Sequence, residues 1–262
     1  MQYKTILFEV KDKVTRIQLN RPEAMNSINL DMAKELLQAV LYCSEEPTIR
    51  AVLITGTGDV FCAGGDVKAF ASKGKNLPNY TREVITYLHA AVSGLVRINA
   101  PVIVAVNGTT AGAGIGLVGA GDIVMAAESA RFVIAYTKIG LTPDAGTSYF
   151  LPRLVGLRRA LELTLTNREL SAREALDIGL VNHVVPDAEL PSAAEALTSK
   201  LAAGATRAIG MSKRLLHYSW NETLETQMEQ ESQSIADIVR TLDAQEAIKA
   251  FVEKREPKFT GR

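Results

Sequence analysis

The sequence feature that most constrains the fold is a short apolar run that leads directly into a cluster of glycines. Val102–Val106 contains only valine, isoleucine and alanine, and Gly108, Gly112, Gly114 and Gly116 follow it. An uninterrupted apolar run of this length predicts a strand that is buried on both faces, as in sheets covered by helices. Glycines after such a strand let the backbone turn sharply and approach another segment or a ligand closely. The sequence therefore predicts an α/β protein with a tight strand-to-helix junction at this point.

Strand-like and helix-like segments alternate as far as about residue 190. Period-two alternation and short apolar runs predict further strands at Thr5–Val10, Val14–Leu19, Ala51–Thr55, Asp122–Ala126 and Phe132–Ile134. Helical periodicity predicts helices at Leu30–Ser44, Ala113–Ala120, Tyr149–Leu154, Leu157–Thr166 and Ser171–Ile178. The last of these begins with Ser171 and Glu174 at the spacing of a capping box.

Beyond residue 190 the strand signal disappears. Helical periodicity predicts helices at Pro191–Ala203, Thr206–Tyr218 and Asn221–Phe251, with apolar faces that shift along their length. This region has too little apolar core to fold alone, so we expect it to pack on the first region and on neighbouring subunits. The sequence thus predicts a core that holds the functional site, residues 1–190, and a helical oligomerisation region, residues 191–262.

Composition excludes several classes of function. The 262 residues are 47% hydrophobic, and 29 basic residues balance 29 acidic ones, so bulk charge does not favour binding to nucleic acid or to an anionic membrane. Cys43 and Cys62 are the only cysteines, and no Cys or His cluster has metal-ligand spacing, which predicts a reducing compartment and no structural metal. The N-terminal MQYKTILFEV alternates like a strand instead of forming a secretion signal, and no apolar stretch is long enough to span a membrane. We therefore predict a cytoplasmic protein.

A second glycine junction occurs in the segment Phe61–Lys68, where Gly64 and Gly65 precede Asp66. Two such junctions after buried strands allow two backbone N–H groups to converge on one anionic oxygen. Taken alone, each junction is equally compatible with a tight turn or with close packing of a small-residue helix. Neither junction fits the dinucleotide pattern G-x-G-x-x-G or the phosphate loop G-x-x-x-x-G-K, which argues against an enzyme with a nucleotide cofactor.

Several segments together resemble the successive signatures of the crotonase (enoyl-CoA hydratase/isomerase) family. They occur in the family's order and cover nearly the whole chain: Asn20–Ile28, Phe61–Lys68, Ala105–Gly108, Ala111–Gly114, Asp122–Phe132, Leu151–Gly156, Ser171–Val181 and Phe251–Phe259. The resemblance implies a spiral of ββα repeats with a helical C-terminal trimerisation region, assembled as a homotrimer or a dimer of trimers. It also implies an acyl-CoA thioester as substrate and no separate cofactor, because coenzyme A is part of the substrate.

The same resemblance implies roles for individual residues. By motif match, the backbone N–H groups of Gly65 and Ala113 form an oxyanion hole for the thioester oxygen. Substrate contacts are implied for Ala63, Asp66 and Lys68.

Cationic side chains are needed near the pocket mouth because coenzyme A carries phosphate groups. Besides Lys68, the candidates are Arg21, Lys254 and Lys258, each of which is equally interpretable as a solvated surface charge.

The carboxylates bear on which reaction is catalysed. Hydratases of the family resemble one another in using two glutamates, and the matching positions here are Gly116 and Tyr136. Asp144 instead lies where several family isomerases carry an acid, and one carboxylate can take a proton from one carbon and return it to another. The resemblance therefore favours an isomerase with Asp144 as the base and Tyr136 as a pocket residue. As a competing interpretation, Asp144 is a turn or helix-cap residue and Tyr136 an ordinary packed tyrosine.

Two other functions stay open at this point. A hydratase would need water positioned by Asp144 and another group such as Tyr136, and a non-catalytic acyl-CoA binding protein would need neither glutamate. His89, His183 and His217 have no partner at triad-like spacing, so we interpret them as surface or helix-face residues.

Overall fold

The computed structural model describes residues 3–262; Met1 and Gln2, the first residues of the predicted N-terminal strand segment, lie outside the described residues. The strands in the described part are β1 (Ile6–Lys11), β2 (Val14–Leu19), β3 (Ala51–Gly56), β4 (Val60–Cys62), β5 (Val102–Val106), β6 (Thr109–Ala111), β7 (Ile123–Ala127), β8 (Arg131–Val133), β9 (Leu170–Ser171) and β10 (His183–Val185). The helices are α1 (Leu30–Glu45), α2 (Val67–Ala71), α3 (Leu77–Arg97), α4 (Ala113–Gly119), α5 (Thr147–Val155), α6 (Leu157–Thr166), α7 (Ala172–Asp177), α8 (Leu190–Ala202), α9 (Thr206–Tyr218), α10 (Leu224–Ile238) and α11 (Leu242–Glu253).

Two sheets form the framework, and the chain visits them alternately. The larger sheet has the strand order β1-β2-β3-β5-β7-β10, and the smaller sheet has the order β4-β6-β8-β9. The chain passes from β3 to β4, from β5 to β6 and from β7 to β8, each time moving from the larger to the smaller sheet, and helices follow each pair. This repetition is the predicted ββα spiral, and the α/β prediction with C-terminal helices is confirmed.

Strand β5 shows how the sequence sets the layers. Val102, Val104 and Val106 belong to the main core, which also contains residues of α1, α3 and the smaller sheet. Ile103 and Ala105, which point to the opposite face because side chains alternate along a strand, pack in a second cluster with α8. Both faces of β5 are therefore covered by helices or by the second sheet, as its apolar run predicts.

The structure corrects two predictions about helices. The predicted helix Asn221–Phe251 is wrong as one element, because α10 and α11 are separate and Thr241 caps the second, its side chain accepting a hydrogen bond from the N–H of Ala244. Helix α3 was not predicted, although its buried residues recur at helical spacing. Close contact with α1 depends on Gly94, where an added Cβ would lie 2.5 Å from the Val40 side chain.

The C-terminal helices are tied to the core by polar contacts. Lys213 in α9 pairs with Asp122 at 2.6 Å and also donates to the carbonyl of Leu95 at 3.2 Å. Burial lowers the pKa of the Lys213 ammonium below its usual value. Because α8 also packs on β3 and β5, the predicted division at residues 190 and 191 falls where packing continues across the boundary, and it stays a prediction. Among the described residues no helix is long and apolar enough to cross a bilayer.

Candidate active site

Three loops meet at one end of the smaller sheet. Strands β4, β6 and β8 are parallel neighbours, so their carboxyl ends lie side by side, where α/β proteins commonly bind ligands. Gly65 follows β4, Ala113 follows β6, and Tyr136 and Asp144 lie in the long loop after β8. Topology alone therefore brings the predicted site residues together.

The first two loops touch through their backbones. A Cβ added at Gly64, whose φ is +94°, would lie 3.0 Å from the carbonyl oxygen of Ala111 and 3.3 Å from the amide nitrogen of Ala113. Gly112 has a φ of +51°, a backbone conformation that residues other than glycine rarely adopt. The two glycine junctions predicted from the sequence are thus one packed unit, and side chains at Gly64 would force it apart.

The amides of Gly65 and Ala113 donate to no acceptor among residues 3–262. Ile28 donates to the carbonyl of Gly64 at 2.7 Å and accepts from the amide of Asp66 at 3.0 Å. Since N–H groups alternate in direction along an extended segment, the Gly65 N–H points away from Ile28. Ala113 opens α4, and the first N–H groups of a helix have no partner within it. Both donors are available for an oxygen that is not part of the protein.

A cavity of about 330 Å³ lies against these loops. The predicted site residues that line it are Ala63, Gly65, Tyr136 and Asp144, together with apolar side chains such as Phe70. Among the described residues that line this cavity, Asp144 is the only carboxylate. Any proton transfer that needs a carboxylate here would therefore use one group.

Tyr136 holds the Asp144 carboxylate in place. Its hydroxyl donates to Oδ1 of Asp144 at 2.5 Å and lies 3.4 Å from the hydroxyl of Thr147. The N-cap of α5 is Gly146, and no side chain caps that helix, so Asp144 is not a helix cap. Its carbonyl accepts from the amide of Thr147 at 2.8 Å, so Asp144 does belong to a turn, as the alternative interpretation also allowed. Tyr136 is buried, with 7% of its surface exposed, so its hydroxyl contacts Asp144 and Thr147 instead of bulk water.

Burial raises the pKa of the Asp144 carboxyl above its ordinary value, although the Tyr136 hydroxyl and the nearby His89 act in the opposite direction. Burial and the charge of Asp144 raise the pKa of the Tyr136 hydroxyl, so the tyrosine stays protonated and acts as a donor. A carboxylate with a raised pKa is a stronger base than an exposed one. The pair thus combines a fixed position with increased basicity at Asp144.

His89 is a site residue that the sequence analysis missed. It lies on α3, lines the cavity, and its Nε2 accepts a hydrogen bond from the backbone amide of Ala145 at 3.0 Å. Ala145 has a φ of +50°, which costs free energy for a residue with a side chain. The histidine therefore stabilises the strained loop that carries Asp144, instead of being only a helix-face residue.

Gly116 is the position that the resemblance drawn from the sequence matches to a hydratase glutamate. A Cβ there would lie 2.6 Å from the Cβ of Ala145 and closer still to the Ala145 carbonyl oxygen. The loop that delivers Asp144 therefore occupies the space that a side chain at position 116 would need. In this protein, the observed path of the Asp144 loop therefore leaves no room for a side chain at position 116.

The other predicted site residues do not line this cavity: Ala113, which follows the lining residue Gly112, and Asp66, Lys68, Arg21, Lys254 and Lys258. Asp66 caps α2 through the amide of Ala69 and pairs with Arg21 at 2.9 Å, so its carboxylate is engaged within the protein. Lys68 is exposed on α2. Lys254 and Lys258, near the C-terminus, are also outside the cavity wall.

Comparison with known proteins gives a consistent family assignment. A family model described as enoyl-CoA hydratase/isomerase matches residues 9–262. A Rhodobacter capsulatus protein named "Probable enoyl-CoA hydratase" is 38% identical over 262 residues, 100% of both chains. The 1,2-epoxyphenylacetyl-CoA isomerase of Escherichia coli K12 is 38% identical over 258 residues, 98% of each chain. The crystal structure of an enoyl-CoA hydratase from Bacillus anthracis superposes with a TM-score of 0.93 at 33% identity, covering 99% of this chain and 100% of that one.

Proposed function

This chain belongs to the enoyl-CoA hydratase/isomerase (crotonase) family, and we propose that within it the protein is an isomerase that moves a carbon–carbon double bond in an acyl-CoA thioester. The simplest substrate is a 3-enoyl-CoA, converted to a 2-enoyl-CoA; a related ring-acyl-CoA isomerisation is the other reaction in this class. Coenzyme A enters as part of the substrate, so we propose no separate cofactor.

The proposed reaction begins with the thioester oxygen bound by the amides of Gly65 and Ala113. Ionised Asp144 removes a proton from C2, and the electron pair is delocalised over C2 to C4 and the thioester oxygen as a dienolate. Protonated Asp144 then returns the proton to C4, and the double bond comes to lie between C2 and C3. The two amides stabilise the negative charge on the oxygen without reorganising, which typically lowers a barrier by about 2.7–4 kcal/mol per donor.

The observation that carries this proposal is the single carboxylate at the cavity, combined with the blocked position 116. Addition of water needs one group to activate the water and another to protonate the α-carbon. Asp144 can serve one of these roles, but the Tyr136 hydroxyl is already donated to Asp144. A single base that gives back the proton it took needs no second group.

A substrate panel tests the proposal. Wild-type protein is expected to convert 3-enoyl-CoA esters to 2-enoyl-CoA esters with a kcat/KM at least about a hundredfold above that for hydration of the 2-enoyl esters, since each acid–base group contributes roughly 10²–10⁴-fold. Absorbance of the conjugated thioester measures both reactions. Rapid hydration of 2-enoyl-CoA would establish a hydratase instead. Binding of every ester without turnover of any would establish a non-catalytic acyl-CoA binding protein.

We also propose a cytoplasmic homotrimer or dimer of trimers. Support comes from large apolar side chains that are exposed on the C-terminal helices, among them Trp220 at 65%, Leu224 at 69% and Phe251 at 85%. Clusters of exposed apolar side chains are typical of subunit interfaces. Light scattering should give three or six times the chain mass of 28.3 kDa. A monomer at micromolar concentration would contradict the proposal.

A further inference from the structure

A second and larger cavity, of about 440 Å³, lies on the far side of Asp144 from the glycine junctions. Both cavities are lined by His89, Pro143 and Asp144, whereas Gly65 lines only the first. The carboxylate therefore stands at the junction of two spaces. One of them contains the free amide of Gly65, and the other extends away from it.

Two helices form opposite walls of this second cavity. On α3 the lining residues run from His89 through Ser93 to Arg97, positions separated by four residues that share one helix face. With a rise of about 1.5 Å per residue, this stripe reaches roughly 12 Å from the Asp144 end. On α9 the wall begins at Arg214, whose Nη1 lies 3.5 Å from the carbonyl oxygen of Arg97. The two arginines are consequently neighbours at the end remote from Asp144.

The charges in this cavity are unbalanced. Neither Arg97 nor Arg214 forms an ion pair with a carboxylate among the described residues, and Arg214 donates to the neutral side chain of Asn99 at 2.7 Å. Asp144 is the one acidic residue that the described lining contains. Burial lowers the pKa of His217, which also lines the cavity, so the histidine is neutral at pH 7. The remote end therefore carries two positive charges: Arg97 is exposed, and Arg214 donates through Nη1 to Asn99 and lies with Nη2 3.7 Å from the Sδ of Met211.

We propose that the second cavity binds the distal part of the acyl group and that Arg97 and Arg214 recognise a carboxylate at its end. This inference rests on the proposed function, because it requires the thioester at Gly65 and Ala113 and the reacting carbons beside Asp144. The acyl chain beyond those carbons then leads past Asp144 into the second cavity, while coenzyme A leaves on the opposite side. The preferred substrate class is an enoyl-CoA whose acyl group ends in a carboxylate.

The test compares two 3-enoyl-CoA esters of equal length, one ending in a carboxylate and one in its methyl ester. Wild-type protein should show about a tenfold higher kcat/KM for the acid, since charge-assisted hydrogen bonds to a guanidinium are stronger than neutral ones. The double variant Arg97→Gln with Arg214→Gln should reduce this ratio to about one. Arg158→Gln, an exposed arginine on α6 outside the cavity, should keep the wild-type ratio.

Each other outcome overturns a defined part of the inference. Equal kcat/KM for the acid and the methyl ester in wild type would refute carboxylate recognition while leaving isomerisation established. A double variant that loses affinity equally for both esters, but not for the corresponding acyl-pantetheine thioesters, would show that the arginines bind the coenzyme A phosphates. Absence of isomerisation with either ester would refute the proposed function itself.

Discussion

Asp144→Asn is expected to lower the isomerisation rate by about 10³–10⁴-fold, near the upper range for loss of a general base. Asparagine has nearly the size of aspartate and can still accept the hydrogen bond from Tyr136, but it cannot take a proton at neutral pH. Binding of an acyl-CoA ester should change little, because the thioester is held by the Gly65 and Ala113 amides. The measurements are kcat with a 3-enoyl-CoA ester and the dissociation constant of a saturated acyl-CoA.

The pH dependence should point to the same group. Burial raises the pKa of Asp144, so the wild-type rate should fall on acidification at a higher pH than an exposed aspartate would give. The raised pKa means that the folded state disfavours the ionised carboxylate. The free energy of unfolding therefore decreases as the pH rises from the unfolded pKa of this group through its folded pKa. The Asn variant should therefore be at least as stable as wild type at pH 7.

The matched control is Asp177→Asn, which changes an exposed aspartate on α7. This variant should keep full activity.

If the Asp144→Asn variant turned over substrate at nearly the wild-type rate, Asp144 would have only a structural role in its loop. In that case Tyr136 would become the candidate proton donor and acceptor in the cavity. Loss of acyl-CoA binding together with turnover would instead indicate that the substitution had displaced the loop.

Gly116→Ala is expected to destabilise the protein by about 3 kcal/mol and to reduce isomerisation strongly, because overpacking a rigid core forces backbone shifts. The added Cβ would lie 2.6 Å from the Cβ of Ala145, and relief requires movement of the loop that carries Asp144. Chemical denaturation gives the free energy of unfolding. The control is Gly204→Ala, where the nearest atom, at 3.0 Å, is the flexible end of the Ile209 side chain.

Gly116→Glu introduces a glutamate at the position that the family resemblance matches to a hydratase glutamate. We nevertheless expect that this variant is not a hydratase. The glutamate needs the space of the Ala145 backbone, so the variant should lose isomerisation and gain no hydration of 2-enoyl-CoA. A stable, hydrating Gly116→Glu variant would contradict the exclusion of a side chain at position 116. A wild-type melting temperature for Gly116→Ala would contradict it as well.

Much of the site was predictable because its parts depend on local sequence. Gly64 and Gly112 are visible in the sequence as glycines after strands, and both have a positive φ that other residues adopt rarely. Asp144 could be located only through the family resemblance, since the turn residues around it also fit an aspartate with no catalytic role. Strand and helix periodicity predicted the α/β mixture with C-terminal helices, and the family resemblance alone implied the spiral.

Other features could not be predicted because they depend on contacts between distant segments. His89 accepts from an amide 56 residues further along the chain, and nothing near His89 in sequence signals that partner. The exclusion of a side chain at Gly116 arises from the path of the Ala145 backbone. The break between α10 and α11 is different, since the residue that caps α11, Thr241, lies inside the segment that was predicted as one helix.

The most direct test of the one-carboxylate mechanism follows a deuterium label. A 3-enoyl-CoA ester that carries two deuterium atoms at C2 is incubated with wild-type protein in ordinary water, and the product is examined by NMR and mass spectrometry at low conversion. Direct return of the deuteron by Asp144 predicts 2-enoyl-CoA with one deuterium at C2 and part of the second at C4, whereas the Asp144→Asn variant should leave the substrate unconverted with both atoms at C2. A 3-hydroxyacyl-CoA as the main product, or 2-enoyl-CoA from wild type with no deuterium at C4, would contradict the mechanism.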